Sequence, residues 1–174
     1  MVVVSFEEAW REALERHAGQ QYGPHEYSYH LKMVVDRTRE IYGSDCLQLS
    51  AAALHDTIED TGVTREYLAQ KYGSDLATLV WTASADPSEQ SRRGKQNSIA
   101  KKLAILPSHL ELRGIDLKMA DRNCNMKASI LEGKWGLVKM YQSEADLYRP
   151  HFSRGNAELF AEYQRYCEFN IPKE

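Results

Sequence analysis

Apolar residues along this chain recur at steps of three and four, the period of a helix with one buried face, and two-residue alternation is nearly absent. "SFEEAWREALERHAG" opens on a capping box, Ser5 with Glu8 three residues later, and ends near Gly19. "GQQYGPHEYS" holds two glycines and a proline and reads as a loop. A second helix is expected from about Tyr29 to Tyr42, with Leu31, Val34, Val35, Thr38 and Ile41 as its buried stripe. Gly43 stops it, and Ser44-Asp45 cap a third whose stripe is Leu47, Ala51, Leu54 and Ile58.

Thr64 and Ser74 are expected caps for "REYLAQKYG" and "DLATLVWTAS". Between Ala85 and Asn97, "ADPSEQSRRGKQN" is polar and turn-rich, the best candidate for a mobile segment. Helical stretches follow at "SIAKKLAIL", "ELRGIDLKMADRNCNMKASI", "GLVKMYQSEADLYRPHF" and "NAELFAEYQRYCEF". With no repeat, low-complexity tract or linker, the pattern predicts one all-α domain over residues 1–174, of roughly eight or more helices.

Composition narrows this picture only a little. The chain of 174 residues is long enough to bury a real core, and its net charge of -3 gives no reason to expect a nucleic-acid or membrane partner. No apolar run approaches the roughly 20 residues of a membrane span. "MVVVSFEEAW" is too short and acidic for a signal peptide. Cys46, Cys124 and Cys167 are scattered without metal-type spacing and read as reduced thiols. A cytoplasmic protein is expected.

The chemistry begins where the apolar run "LQLSAAAL" meets "HDTIEDT". On one continuous helix, His55 and Glu59, and likewise Asp56 and Asp60, would stack four residues apart on a polar strip. Three carboxylates so close repel one another and ask for a cation. Imidazole and carboxylate ligands suit a borderline-hard ion such as Mn²⁺, with Fe²⁺, Zn²⁺ or Mg²⁺ also open. Two ligands are too few, so the rest must come from elsewhere. His30 sits at the edge of the second helix's buried stripe. In "DLKMADRNCNMK", Lys118, Asp121, Arg122 and Asn125 share one face beside Leu117, Ala120 and Cys124, as on a helix lining a polar pocket.

A distant His, an adjacent His-Asp and a later Asp resemble the HD-domain metal phosphohydrolases. More narrowly, "HDTIEDT" and "KMADRNCNM" are similar to the "HDxxEDT" and "KxADRxxN" signatures of alarmone hydrolases, the hydrolase domain of RelA/SpoT-type proteins and the stand-alone small hydrolases. The likeness covers about residues 13–152. It implies an HD-type helical fold, metal ligands His30, His55, Asp56 and Asp121 (normally for Mn²⁺), and Glu59-Asp60 as the pair that orients the attacking water. It also implies that Lys118 and Asn125 line a nucleotide pocket, and that the reaction removes pyrophosphate from the ribose 3′ position of ppGpp or pppGpp. No synthetase half is expected.

The family usually carries an Arg-Lys pair in the loop before the first ligand His, where the Arg packs on guanine. Here Tyr22 and Gly23 stand near those places, and Tyr22 is expected to stack on the base instead. A different 3′-phosphorylated nucleotide is therefore a rival substrate, and a catalytically silent nucleotide-binding module a rival from another class. "RRGK", with Arg92 and Arg93, reads either as a solvated loop or as a phosphate clamp. His17, His25, His109 and His151 are expected to be structural or surface residues, and Tyr141, Tyr148 and Tyr163 core residues.

Overall fold

The computed structural model describes residues 5–172. The reading of the N-terminal segment as no signal peptide falls partly on residues 1–4, outside the described residues. The chain forms helices α1 (Phe6–Arg16), α2 (Ser28–Tyr42), α3 (Cys46–Leu54), α4 (Thr57–Asp60), α5 (Arg65–Tyr72) and α6 (Ser74–Ala83). These are followed by α7 (Arg92–Ala104), α8 (Glu111–Leu131), α9 (Trp135–Ser143), α10 (Ala145–Phe152) and α11 (Ala157–Cys167). The all-α expectation holds. Among the described residues no helix is long and apolar enough to cross a membrane.

Local chemistry explains several helix starts. The hydroxyls of Ser5 and Thr64 and the carboxylate of Asp45 each accept the N–H three residues on, as expected. Ser74 differs: it is the first residue of α6, and the cap is Gly73, whose φ of 94° no side chain adopts easily.

Three further expectations are corrected. The "GQQYGPHEYS" loop contains a small hairpin, β1 (Gln21–Tyr22) antiparallel to β2 (His25–Glu26), turning at Gly23-Pro24. Gly23 turns at a φ of 59°, a conformation that side chains rarely adopt. The segment Ala85–Asn97 is not one loop. Ser91 caps α7 by accepting from Gly94 N, and Arg92 onward is helical. Lastly, the apolar helix does not carry His55 to Asp60 as one strip. α3 ends at Leu54 and α4 begins at Thr57, with neither Gly nor Pro between. Side chains take the last carbonyls instead: His55 Nδ1 meets Ala52 O at 2.8 Å and Thr57 Oγ1 donates to Leu54 O at 2.7 Å.

Two apolar clusters make the core. One joins α1, α2, α3, α5 and α6, with Leu31, Val34, Leu49, Leu68 and Leu79 buried among them. The other gathers Ile99, Leu103, Tyr148, Phe152 and Tyr163 from α7, α10 and α11. The long helix α8 lies between, giving Leu117 and Cys124 to the first and Ile115, Met119 and Met126 to the second. A helix wedged in this way has little face left for water. Its polar residues Lys118, Asp121, Arg122 and Asn125 turn to the space where α2, the α3–α4 turn and α7 meet.

Candidate active site

Four donor atoms converge from three places in the chain. His30 Nε2 on α2 and His55 Nε2 at the end of α3 face each other at 3.2 Å. Asp56 Oδ2, in the turn, lies 2.9 Å from His55 Nε2 and 3.4 Å from His30 Nε2. Asp121 Oδ1 on α8 approaches the same two nitrogens at 3.6 and 3.3 Å. Donors about 2.1 Å from a shared ion sit roughly 3.0–3.4 Å apart in octahedral or tetrahedral sites, so these separations match one cation. His30, His55 and Asp56 form the mutually close trio, and Asp121 joins it through both histidines.

The donor set fits a divalent metal on chemical grounds as well. With Nδ1 on Ala52 O, the His55 ring presents Nε2 to the other donors, the nitrogen that would carry the lone pair once its proton gives way to a metal. His30 and His55 are buried at 1% and 0% exposure, where charge is costly unless paired. Burial lowers the pKa of both rings, but the carboxylates of Asp56 and Asp121 outweigh it and raise both. Burial likewise opposes ionisation of those carboxylates. The charge of His55 beside Asp56, and of Lys118 beside Asp121, nevertheless drives both well below their usual range. The acids are thus held ionised, as ligands must be.

Around this centre the other residues take distinct places. Asp121 is fixed from two sides: Lys118 Nζ donates to Oδ2 at 2.9 Å and Asn125 Nδ2 to Oδ1 at 2.6 Å. The Tyr22 hydroxyl donates to Asn125 Oδ1 at 2.8 Å, and its ring stacks on His30 with centroids 4.7 Å apart. Glu59 and Asp60 point apart. Glu59 Oε2 accepts from Ala85 N at 3.0 Å with Lys95 at 3.8 Å from its other oxygen. Asp60 Oδ2 meets the Tyr27 hydroxyl at 3.0 Å, and burial, then the charge of Asp56, raises its pKa.

These groups surround a pocket of about 170 Å³ lined by His30, Asp56, Glu59, Asp60, Lys118, Asp121 and Asn125 together with Arg92 and Arg122. A smaller cavity of about 110 Å³, lined by Tyr22, Gly23, Glu132 and Lys134, adjoins it at Asn125 and Tyr141. Arg93 is exposed and lines neither, so the structure does not bring it to the group. Nor is Arg92 on a loop: from the first turn of α7 it is held on Glu144 at 2.7 and 3.0 Å.

Sequence reasoning missed four participants. Tyr27 sits in the supposed loop. Glu144, taken as mid-helix, is the junction of α9 and α10 and pairs with buried Arg122 at 2.6 Å. Gln96 accepts from Arg122 at 2.6 Å and from Tyr148 at 2.5 Å. Tyr141 is half-buried with Arg122 over its ring and lines both cavities, where it was expected only in the core. The one available signal was Tyr27, three residues before His30 and so on its face of α2.

The all-α fold and the two-His, two-Asp cluster make the chain similar to HD-type metal phosphohydrolases. More narrowly, it resembles the hydrolase domain of RelA/SpoT-type proteins. It is 34% identical over 109 residues to a GTP pyrophosphokinase of Myxococcus xanthus, covering 58% of this chain and 14% of that protein. It is 37% identical over 84 residues to a guanosine-3′,5′-bis(diphosphate) 3′-pyrophosphohydrolase of Vibrio cholerae, covering 48% and 12%. A probable GTP pyrophosphokinase of Mycobacterium leprae is 32% identical over 121 residues, 68% of this chain and 15% of the relative. The chain thus spans a small fraction of these relatives. A solved metazoan orthologue of SpoT, described as hydrolysing ppGpp, superposes with a TM-score of 0.79 at 21% identity, covering 97% of this chain and 96% of the other. That likeness establishes the fold. No family model matches the chain.

Proposed function

We propose that this chain is a metal-dependent phosphohydrolase that removes the 3′-pyrophosphate of ppGpp or pppGpp, leaving GDP or GTP, with Mn²⁺ as its ion. The observation that carries the reading is the meeting of four ligand-type donors, two further acids and three cations (Arg92, Lys118 and Arg122) around a single pocket. Acids alone would repel a polyanion. Here a cation held by His30, His55, Asp56 and Asp121 would balance them, while Arg92 and Arg122, which share Glu144 in the same pocket, would receive phosphate. The relatives of Vibrio cholerae and Myxococcus xanthus supply the nucleotide.

When bound, the ion supplies two things: a water of lowered pKa and polarisation of the phosphoryl group. The rest falls to side chains. Glu59 and Asp60 both line the pocket, where they would orient the attacking water and one of them would accept its proton. Lys118 and Asn125 keep Asp121 from rotating away. Neither cavity alone reaches the roughly 300 Å³ of a typical ligand site, so the nucleotide would extend past the metal-side pocket, with phosphates beside Arg92 and base beside Tyr22. The chain would act as a single hydrolase domain over residues 1–174, with the family likeness over about residues 13–152, and its setting would be the cytoplasm.

The direct test is to load the protein with Mn²⁺, add ppGpp and resolve the products by anion exchange. GDP and pyrophosphate are expected. The rival reading, a different 3′-phosphorylated nucleotide, arises from Tyr22 standing where the family usually has Arg, and the relatives do not favour it. A panel of 3′- and 5′-phosphorylated nucleotides separates the two. Turnover of another nucleotide with ppGpp untouched would remove the alarmone assignment and keep the metal chemistry.

A further inference from the structure

The connection between α1 and α2 does more than join two helices. Its residues reach Asp60 by two routes. The Tyr27 hydroxyl lies 3.0 Å from Asp60 Oδ2 and 2.7 Å from Asp56 Oδ2. Gln20 Nε2 donates to the main-chain carbonyl of Asp60 at 3.1 Å. The two arms are tied together behind Asp60. Tyr27 N donates to Gln20 O at 3.1 Å, His17 Nδ1 meets Gln20 Oε1 at 2.8 Å, and the His17 ring stacks on Tyr27 with centroids 4.5 Å apart and planes 7° apart. Tyr27 also meets His30 edge-on at 5.7 Å. The tyrosine is thus clamped on a ring face and at its hydroxyl, whereas α4 is a single turn with little of its own to hold Asp60.

We propose that Tyr27 is a positioning residue that ties a metal ligand, Asp56, to the water-orienting Asp60; this rests on the phosphohydrolase reading of the same site. A phenol has one proton and two lone pairs. Its single O–H bridges the two carboxylates by donating to one at a time, so neither swings freely. Asp56 Oδ2, the oxygen that faces both histidines, keeps its aim, and Asp60 keeps its free oxygen toward the pocket. Partners that orient metal ligands in this manner change metal affinity or turnover by roughly 10- to 100-fold when removed.

The test is Tyr27→Phe, which deletes the hydroxyl and keeps the stack on His17. Mn²⁺ affinity is measured by calorimetry on the metal-free protein, and kcat and KM at saturating Mn²⁺. The expected result is an affinity about 10-fold weaker, kcat lowered by about 10-fold or more, and KM unchanged. A double-mutant cycle with Asp60→Asn adds a readout that a merely structural tyrosine would not move: the kcat loss from Tyr27→Phe should be clearly smaller when Asp60 is already Asn, the remainder acting through Asp56. Equal losses in both backgrounds would overturn the proposal, as would wild-type affinity and kcat in Tyr27→Phe. Should that variant fail to fold by circular dichroism, Gln20→Ala loosens Asp60 from its main-chain side and runs the same cycle with the same two outcomes. The calorimetric arm needs no substrate. A protein inactive on every nucleotide would sink the functional reading, while weakened metal binding in Tyr27→Phe would still stand.

Discussion

Glu59 gives one oxygen to Ala85 N and has Lys95 3.8 Å from the other, and that division decides what a substitution does. Glu59→Gln keeps an acceptor for Ala85 N and removes the charge available to a water. Turnover should fall by roughly 10²-fold or more with metal content unchanged. A near-normal rate would make Glu59 structural. Tyr22→Ala should raise KM by roughly 5- to 100-fold if the ring supports the base. Far from the pocket, Glu12 is almost buried and accepts from Lys71 Nζ at 2.7 Å and Tyr72 Oη at 2.6 Å. Burial alone would raise its pKa, yet these two bonds outweigh it and bring it from 4.5 to about 2. The folded form therefore holds the carboxylate ionised more strongly than the unfolded one. The stability it contributes is full above about 4.5 and drains away as pH falls toward about 2, so Glu12→Gln should flatten the acid limb of a stability curve. His55 and the acids of the pocket stood out in the sequence because they lie in two short runs, whereas His30 stands alone and was suggested by its place on the helix stripe and by the family likeness. Tyr27 and Gln96 did not stand out, since a neutral side chain in a loop or on a helix gives no sign of what it will bond.

At the scale of elements, periodicity located the long helices, and cap chemistry placed several starts to the residue. It failed where side chains compete with the helix. His55 and Thr57 take carbonyls that a continuing helix would have used, and no propensity scale distinguishes that from Ser or Thr sitting quietly mid-helix. The break is useful: it turns Asp56 inward beside His55 and sends Glu59 and Asp60 to different walls. A comparable device closes α6. Lys102 from α7 donates to Trp81 O at 3.3 Å and Ser84 O at 3.0 Å while lying over the Trp81 ring, satisfying the carbonyls at the helix's end. Lys102→Met keeps the stem and orphans those carbonyls, which should cost about 1–3 kcal/mol in chemical denaturation. An unchanged midpoint would mean that water replaces the ammonium.

Across the whole molecule, α8 settles what a local reading could not. Its pattern suggested one apolar face and one polar face, but it touches two cores and the pocket at once, and only the packing of α2 and α11 against it decides which polar residues stay dry. Arg122 and Asn123 have similar sequence surroundings, yet Arg122 pairs with Glu144 beside the pocket while Asn123 donates to Leu159 O at 2.9 Å on α11. An ion at 100 times its dissociation constant should stabilise the fold by about 2.7 kcal/mol, a rise in melting temperature of roughly 5–10 °C. Thermal melts with and without chelator read this shift, and in Asp56→Ala it should disappear.

The donors at positions 30, 55, 56 and 121 lie on segments that are distant in the chain and adjacent only in the finished fold. Local helices form within microseconds, whereas long loops must close before such distant groups meet. The ion should therefore be a late arrival in refolding. In a stopped-flow experiment helicity should return first and metal uptake afterwards, and uptake becomes a clock for the docking of α8 rather than for the making of any helix.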